Sequence, residues 1–95
     1  QRKARKRLEA ERRKQLQPLR KSVSRAEEQM EKLQAEQQEL ETQLADNALY
    51  EPAEKGRLSA LLERKAEVDK SLEDTELEWL RAMDALEAAE NANEE

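Results

Sequence analysis

Apolar residues recur at intervals of four and three along residues 19–44. The members of this repeat are Leu19, Val23, Ala26, Met30, Leu33, Leu40 and Leu44, and Gln37 stands where the next apolar residue was due. Because seven residues cover nearly two turns of an α-helix, this spacing places one narrow apolar stripe on one side of a helix. We call this stripe the seam. It is stable in water only against a second apolar stripe, so the fold depends on where a partner helix is found.

The partner lies in the second half of the same chain. The repeat resumes at Leu58, Leu61, Lys65, Val68, Leu72, Thr75, Trp79, Ala82, Leu86 and Ala89. Between the two repeats, residues 46–52 break the periodicity and contain Asp, Asn and Pro, which favour a turn. A reversal at this point places Gln37 opposite Lys65, two polar positions that would fix the alignment of the helices. The sequence therefore predicts an all-α fold, an antiparallel two-helix coiled-coil hairpin.

A break is expected near Pro18, because proline cannot donate an interior helical hydrogen bond and suits the first turn of a new helix. Residues before it have little packing to hold them, since Leu8 is isolated and Arg12 occupies a seam position. The predicted segments are a basic helical lead-in over 1–17, a hairpin over 18–90 with arms of about 18–45 and 52–89 and a tip at 46–51, and a disordered tail over 91–95.

The second arm carries more apolar residues than one seam needs. The surplus widens the stripe around Trp79 and consists of Leu62, Leu77, Leu80 and Met83. An apolar surface of this kind has to be covered. The residues available are the segment 8–16, folded back across Leu80 and Met83, or another surface of a parent protein.

Charge is sorted along the chain. Residues 1–25 contain eleven Lys and Arg against two Glu, a net charge of +9, and residues 26–95 contain seven against twenty-one acids, a net charge of −14. Clustered cations neutralise phosphates and release condensed counterions, so they predict nucleic-acid binding with little sequence preference. The candidate nucleic-acid-binding residues are Arg2, Lys3, Arg5, Lys6, Arg7, Arg12, Arg13, Lys14, Arg20, Lys21 and Arg25.

Two simpler roles for these cations stay open. They can form a solubilising face, or they can pair with the acidic end of the second arm, where Asp84, Glu87 and Glu90 come near residues 12–20 in the hairpin. Three apolar residues are candidate partner contacts: Leu49, Tyr50 and Trp79. The simpler interpretation of Leu49 and Tyr50 is a hydrophobic plug over the end of the seam.

The residue types that most catalytic and metal sites need are missing. The chain has no His and no Cys, and it has no Gly-rich phosphate loop and no nucleophile beside a base. We therefore expect no catalytic residue, no metal ligand and no cofactor. No apolar run approaches the roughly 18 residues of a membrane span, so we expect a cytoplasmic, monomeric hairpin with no membrane partner. The start without Met suggests a piece of a longer protein.

Several motifs in order resemble one protein family. They are a basic run leading into Gln17-Pro18-Leu19-Arg20-Lys21, a first arm with Glu27 and Leu33, a tip of Leu44-Ala-Asp46-Asn-Ala-Leu49-Tyr50, and a returning arm with Trp79 near its end. Together they resemble the C-terminal coiled-coil domain of ABC-F ATPases, the YheS type more closely than the Uup type. The resemblance spans residues 8–86.

The resemblance implies a parent with two ATP-binding cassettes and no membrane spans that acts on ribosomes or ribosomal RNA. It also implies DNA binding by the hairpin, as in Uup-like members. The cassette motifs are absent from this chain, so ATP and its hydrolysis belong to the parent. The leading hypothesis is therefore a nucleic-acid-binding accessory hairpin, and the rival is a structural coiled coil that docks on a protein partner or self-associates.

Overall fold

Two long helices lie side by side in the computed structural model, which describes residues 1–92. Helix α1 spans Arg2–Leu44 and helix α2 spans Lys55–Ala92. Two short 3-10 helices, Asn47–Tyr50 and Pro52–Glu54, connect them. The molecule is a rod of 77 × 17 × 15 Å. The prediction of an all-α helical hairpin is confirmed.

The core is the predicted seam. Its central cluster joins Leu33 and Leu40 of α1 to Val68 and Leu72 of α2, with Met30 and Leu61 packed against it. These are the residues that a reversal near residue 51 places opposite one another. Because the molecule has only one layer of contact between two helices, few side chains are fully covered, and Val68 and Leu49 are the largest among the described residues.

A polar layer crosses the seam where the sequence placed Gln37 opposite Lys65. The two side chains meet through Asp69: Gln37 Nε2 donates to Oδ1 at 2.9 Å, and Lys65 Nζ donates to Oδ2 at 2.7 Å. The Lys65 ammonium, and to a lesser degree Gln37, lower the pKa of the Asp69 carboxyl. The carboxylate therefore joins the two helices at a level of the seam where an apolar pair is missing.

Helix α1 runs through Pro18 without interruption, so the predicted helix start at Pro18 is wrong. Leu16 is only 3% exposed and extends the seam one step before Leu19, so the segment before the proline is held against α2. Packing on both sides of Pro18 holds the two segments in line, although the proline removes one helical hydrogen bond. The lead-in and the first arm form one helix.

The turn between the helices is well bonded. The Asp46 carboxylate accepts a hydrogen bond from the Ala48 amide at 3.0 Å and caps the first 3-10 helix. Leu49 is fully buried, and the Tyr50 hydroxyl donates to the Leu44 carbonyl at 2.7 Å. The α-helical part of the second arm begins at Lys55 rather than at Pro52, which instead opens the second 3-10 helix.

The far end of α2 differs from the prediction in two respects. Asn91 and Ala92, which were assigned to a disordered tail, lie in the helix, and residues 93–95 of that tail lie outside the described residues. The segment 8–16 does not fold back over the apolar surplus of α2, because α1 is continuous. Leu80 remains 51% exposed and Met83 remains 39% exposed.

Candidate nucleic-acid interface

All candidate cations lie on α1, and all but one of them are exposed. Arg12, the exception, is half-buried. The helix holds these side chains at fixed directions, since each residue turns by about 100° and rises about 1.5 Å along the axis. Because α1 is one continuous helix, the cations can be sorted by the direction in which each points, and they no longer form a single cluster.

The cations of α1 and those of α2 differ in their partners. Four cations of α2 form every ion pair found in residues 1–92: Arg57, Arg64, Lys65 and Lys70. The Arg64 guanidinium is the best held of these, with Nη2 donating to Glu36 of α1 at 2.8 Å, and this bond lowers the pKa of Glu36. Among the described residues, no carboxylate pairs with a cation of α1. Those charges are free to meet a ligand.

Arg12 has a structural contact of its own. Its Nη2 donates to the backbone carbonyl of Glu90 at 3.4 Å. This carbonyl belongs to the last described turn of α2, so the contact joins the first half of α1 to the far end of α2. The prediction that Glu90 comes near the arginines of α1 is therefore confirmed for Arg12, although the backbone and not the carboxylate is the acceptor. Arg12 therefore has a structural contact across the two helices.

Five cations form a line along the side of α1 that faces away from α2. We call them the outer row: Lys3, Arg7, Lys14, Lys21 and Arg25. At about 100° per residue their directions fall within about 40° of one another, and no acidic residue between the first and the last falls in that sector. The row covers 22 steps of the helix, or about 33 Å. It is a straight track of positive charge.

The surface along the second half of the row is slightly concave. A groove of about 500 Å³ is lined by side chains of α1 alone: Lys14, Gln17, Pro18, Lys21, Ser22 and Arg25. Pro18 has no amide hydrogen, and the Ser22 hydroxyl donates to its carbonyl at 3.1 Å. The groove thus combines three cations with two neutral polar side chains, a set that fits phosphate oxygens.

Of the remaining candidate cations, four point to one flank of α1 and two, Arg5 and Arg12, point to the seam side. The flank cations are Arg2, Lys6, Arg13 and Arg20. On this side Arg13 and Arg20 join Arg12, Glu9 and Glu90 around a cleft of about 330 Å³ at the open end of the hairpin. The cleft contains carboxylates of both helices, which oppose the binding of an anion. The basic side chains of residues 1–25 therefore divide into the outer row, which Glu11 borders beside Lys14, and a flank where acids are mixed with arginines.

The three candidate partner contacts have different surroundings. Leu49 is 0% exposed, as expected of the plug and not of a contact residue, whereas Tyr50 is 59% exposed with its hydroxyl bonded to the helix end. Trp79 is half-buried, and its indole Nε1–H is covered and has no acceptor among the described residues. Of the three, only Tyr50 presents most of its surface to solvent.

Sequence reasoning missed two residues that hold the helices together, Leu16 near the open end and Asp69 nearer the tip. Leu16 anchors the middle of the row through the seam, and its spacing of three from Leu19 was the available signal. Asp69 joins the polar layer, and no spacing in the sequence marked it. Within residues 1–92 no cluster of three or more His, Cys, Asp or Glu could hold a metal ion. Neither described helix is long and apolar enough to cross a membrane.

Comparison with known proteins gives one match. Residues 3–83 match the sequence model of a family described as the ABC transporter C-terminal domain. No curated protein and no solved structure matches the chain. The matched range covers most of α1, the whole turn and the greater part of α2, and it identifies an accessory domain rather than an enzyme. The chain belongs to the family of ABC transporter C-terminal domains.

Proposed function

We propose that this domain binds nucleic acid, either DNA or ribosomal RNA, through the phosphate backbone, as the C-terminal accessory coiled coil of a cytoplasmic ABC-F ATP-binding protein. The observation that supports binding is the contrast between the helices. Four of the six cations of α2 pair with neighbouring carboxylates, and none of the cations of α1 has such a partner among the described residues. The positive charge of the molecule is therefore concentrated on one helix.

Free cations of this kind favour phosphates for an entropic reason. Each phosphate that Lys or Arg neutralises releases condensed counterions from the nucleic acid, so the logarithm of affinity falls with the logarithm of salt concentration. Acids within the same surface would weaken this effect. The outer row has none in its sector, which makes α1 a better phosphate ligand than the net charge of −5 suggests.

The assignment to an ABC-F parent rests on the family match together with the ordered motifs of the hairpin, above all the Asp46, Leu49 and Tyr50 pattern of the tip. In such a parent ATP would be bound and hydrolysed by the cassettes. No residue of this chain has a role in that chemistry. The hairpin would add affinity for nucleic acid to an ATPase whose own sites lie elsewhere.

A salt titration of binding tests the proposal. The wild-type chain is compared with a variant in which Arg7, Arg13, Lys14, Lys21 and Arg25 become Gln, and with a matched control that makes the same change at five cations of α2: Lys55, Arg57, Arg64, Lys70 and Arg81. Both variants lose five positive charges. We expect steep salt dependence for wild type and the control, and a loss of most of the slope for the α1 variant. Absence of wild-type binding at low salt would reject nucleic-acid binding by this domain.

One observation favours the second function, a coiled coil that docks on a protein or on a second copy. Leu77, Leu80 and Met83 form a ridge on α2 at spacings of three and are 48%, 51% and 39% exposed. Exposed apolar surface of this kind is typical of an interface. Sedimentation equilibrium over a wide concentration range tests self-association: a dimer that Leu80→Ser abolishes supports it, and a monomer at all concentrations rejects it.

A further inference from the structure

We propose that the outer row of α1 is a lengthwise track for the backbone of a single-stranded nucleic acid. This inference rests on the proposed function and goes further, because it names the strand type and the direction in which it lies. The five cations are exposed, form no ion pair within residues 1–92 and share one sector of the helix that faces away from α2. A ligand can therefore lie along the whole row without contact with the acid-rich second helix.

The straightness of the row excludes a good fit to a duplex. A strand of B-form DNA winds once around its axis in about 34 Å, so it passes to the far side of the duplex within the length of the row, about 33 Å. A rod laid against a duplex meets its strands only where they cross. A single strand has no such constraint and can stay beside all five cations.

The groove in the middle of the row supports the same orientation. Lys14 and Lys21 lie two helical turns apart on either side of Pro18, with Arg25 one turn further along, and the surface between them is concave and free of acids. Gln17 lines this surface and its side-chain amide can donate hydrogen bonds to phosphate or sugar oxygens, whereas the Ser22 hydroxyl is already bonded to the Pro18 carbonyl. The backbone of one strand can rest there with its bases turned outward to solvent.

The residue types of the row also predict binding without selection among bases. No aromatic side chain lies along α1, and base selection by single-strand binders depends on stacking platforms and on hydrogen bonds to base edges. Binding along the row is therefore independent of base sequence and strongly dependent on salt. With about 0.7 counterions released per contact on a single strand, five contacts give a log–log slope of about −3.5.

The row ends after Arg25, where two acidic residues flank the next cation. Lys32 continues the same direction one heptad after Arg25, but Glu28 and Glu31 lie beside it on the surface. Those two carboxylates repel a phosphate at this point. The track is therefore limited to the half of α1 near the open end of the hairpin, and the tip is left clear of the strand.

Two variants with the same net charge test this assignment. The row variant changes Lys3, Arg7, Lys14, Lys21 and Arg25 to Gln, and the flank variant changes Arg2, Lys6, Arg13, Arg20 and the seam-side Arg5 to Gln. Arg12 is left in place because it bonds to the Glu90 carbonyl of α2. Circular dichroism confirms that both variants keep the helices, and binding is measured by fluorescence anisotropy against oligo-dT of about 20 nucleotides and a duplex of equal length.

We expect the row variant to lose at least tenfold more affinity for oligo-dT than the flank variant loses, and to lose most of the slope of about −3.5. If the two variants lost the same affinity for oligo-dT, binding would depend on total charge and not on the position of the cations. That result would overturn the row, while nucleic-acid binding itself would stand. A wild-type preference for the duplex would overturn the choice of single strand. If wild type binds neither probe at low salt, the proposed function fails together with the row.

Discussion

Replacement of Pro18 by Ala should stabilise the hairpin by about 3 kcal/mol. Pro18 lies inside α1 and is exposed, so its side chain contributes little packing. Its missing amide hydrogen cannot reach the carbonyl of Lys14, and its ring crowds that carbonyl. Relative to Ala, proline in a helix interior costs about 3 kcal/mol. The substitution restores the bond and removes the clash, which changes the unfolding equilibrium by more than about a hundredfold.

Urea unfolding followed by circular dichroism measures this effect. Ser24→Ala is the matched control, since Ser24 is an exposed position of the same helix and the change should add no more than about 0.7 kcal/mol. The dependence of unfolding free energy on urea should be the same for wild type and the Pro18 variant, because both bury the same surface.

A Pro18→Ala variant without added stability would indicate a break in α1. If α1 breaks at Pro18 in solution, the proline stands at the first position of a helix, which it favours, and Ala there gains nothing. Unchanged or lower stability would then refute the continuous helix. A steeper urea dependence in the variant would show that the segment before Pro18 becomes ordered only after the substitution.

Three further changes test other parts of the hairpin. Gly56→Ala should add about 0.5–1 kcal/mol in urea unfolding, because a Cβ at this helical position meets no atom within 4 Å; a loss would indicate that the first turn of α2 is not helical. Leu49→Ala should cost about 2–5 kcal/mol, since the side chain is fully buried under the turn, and a cost below about 1 kcal/mol would reject its role as a plug. Because the folded state lowers the pKa of Asp69 below its ordinary value of 3.8, its contribution is present above that pH and is lost as the pH falls through the folded value. Asp69→Asn should therefore reduce the acid dependence of the melting temperature below about pH 4, and an unchanged dependence would contradict this.

Much of the fold could be predicted because one repeat determines it. A 4-3 spacing in both halves of the chain defines two helices, their facing sides and their approximate alignment, and the turn residues between them define the reversal. The prediction failed at Pro18 because local propensity was weighed without Leu16, whose burial against α2 outweighs the preference for a break. Tertiary packing decides such cases, since propensity is a weak prior.

The candidate site could be predicted only in part. Composition located the basic cluster at one end of the chain, but it could not separate the outer row from the flank or from Arg12, because these differ in direction and in partners rather than in residue type. The contact from Arg12 to the Glu90 carbonyl depends on the exact axial offset of the helices. The apolar ridge containing Leu80 was visible in the sequence, whereas its exposure depended on α1 being continuous.

The seam and the outer row occupy opposite sectors of one helix, so stability and binding should respond to different substitutions. Neutralising the row removes no packing, and Gln is about as good a helix former as Lys or Arg. It relieves like-charge contacts one turn apart, at Lys3 with Arg7 and at Lys21 with Arg25, and it removes the opposite-charge contacts of Glu11 with Arg7 and Lys14, each worth about 0.2–0.5 kcal/mol. The row variant should therefore be as stable as wild type to within about 0.5 kcal/mol in urea unfolding. A clear loss of stability would mean that these cations support the fold, and the accumulation of unpaired charge on one face would then need no ligand to explain it.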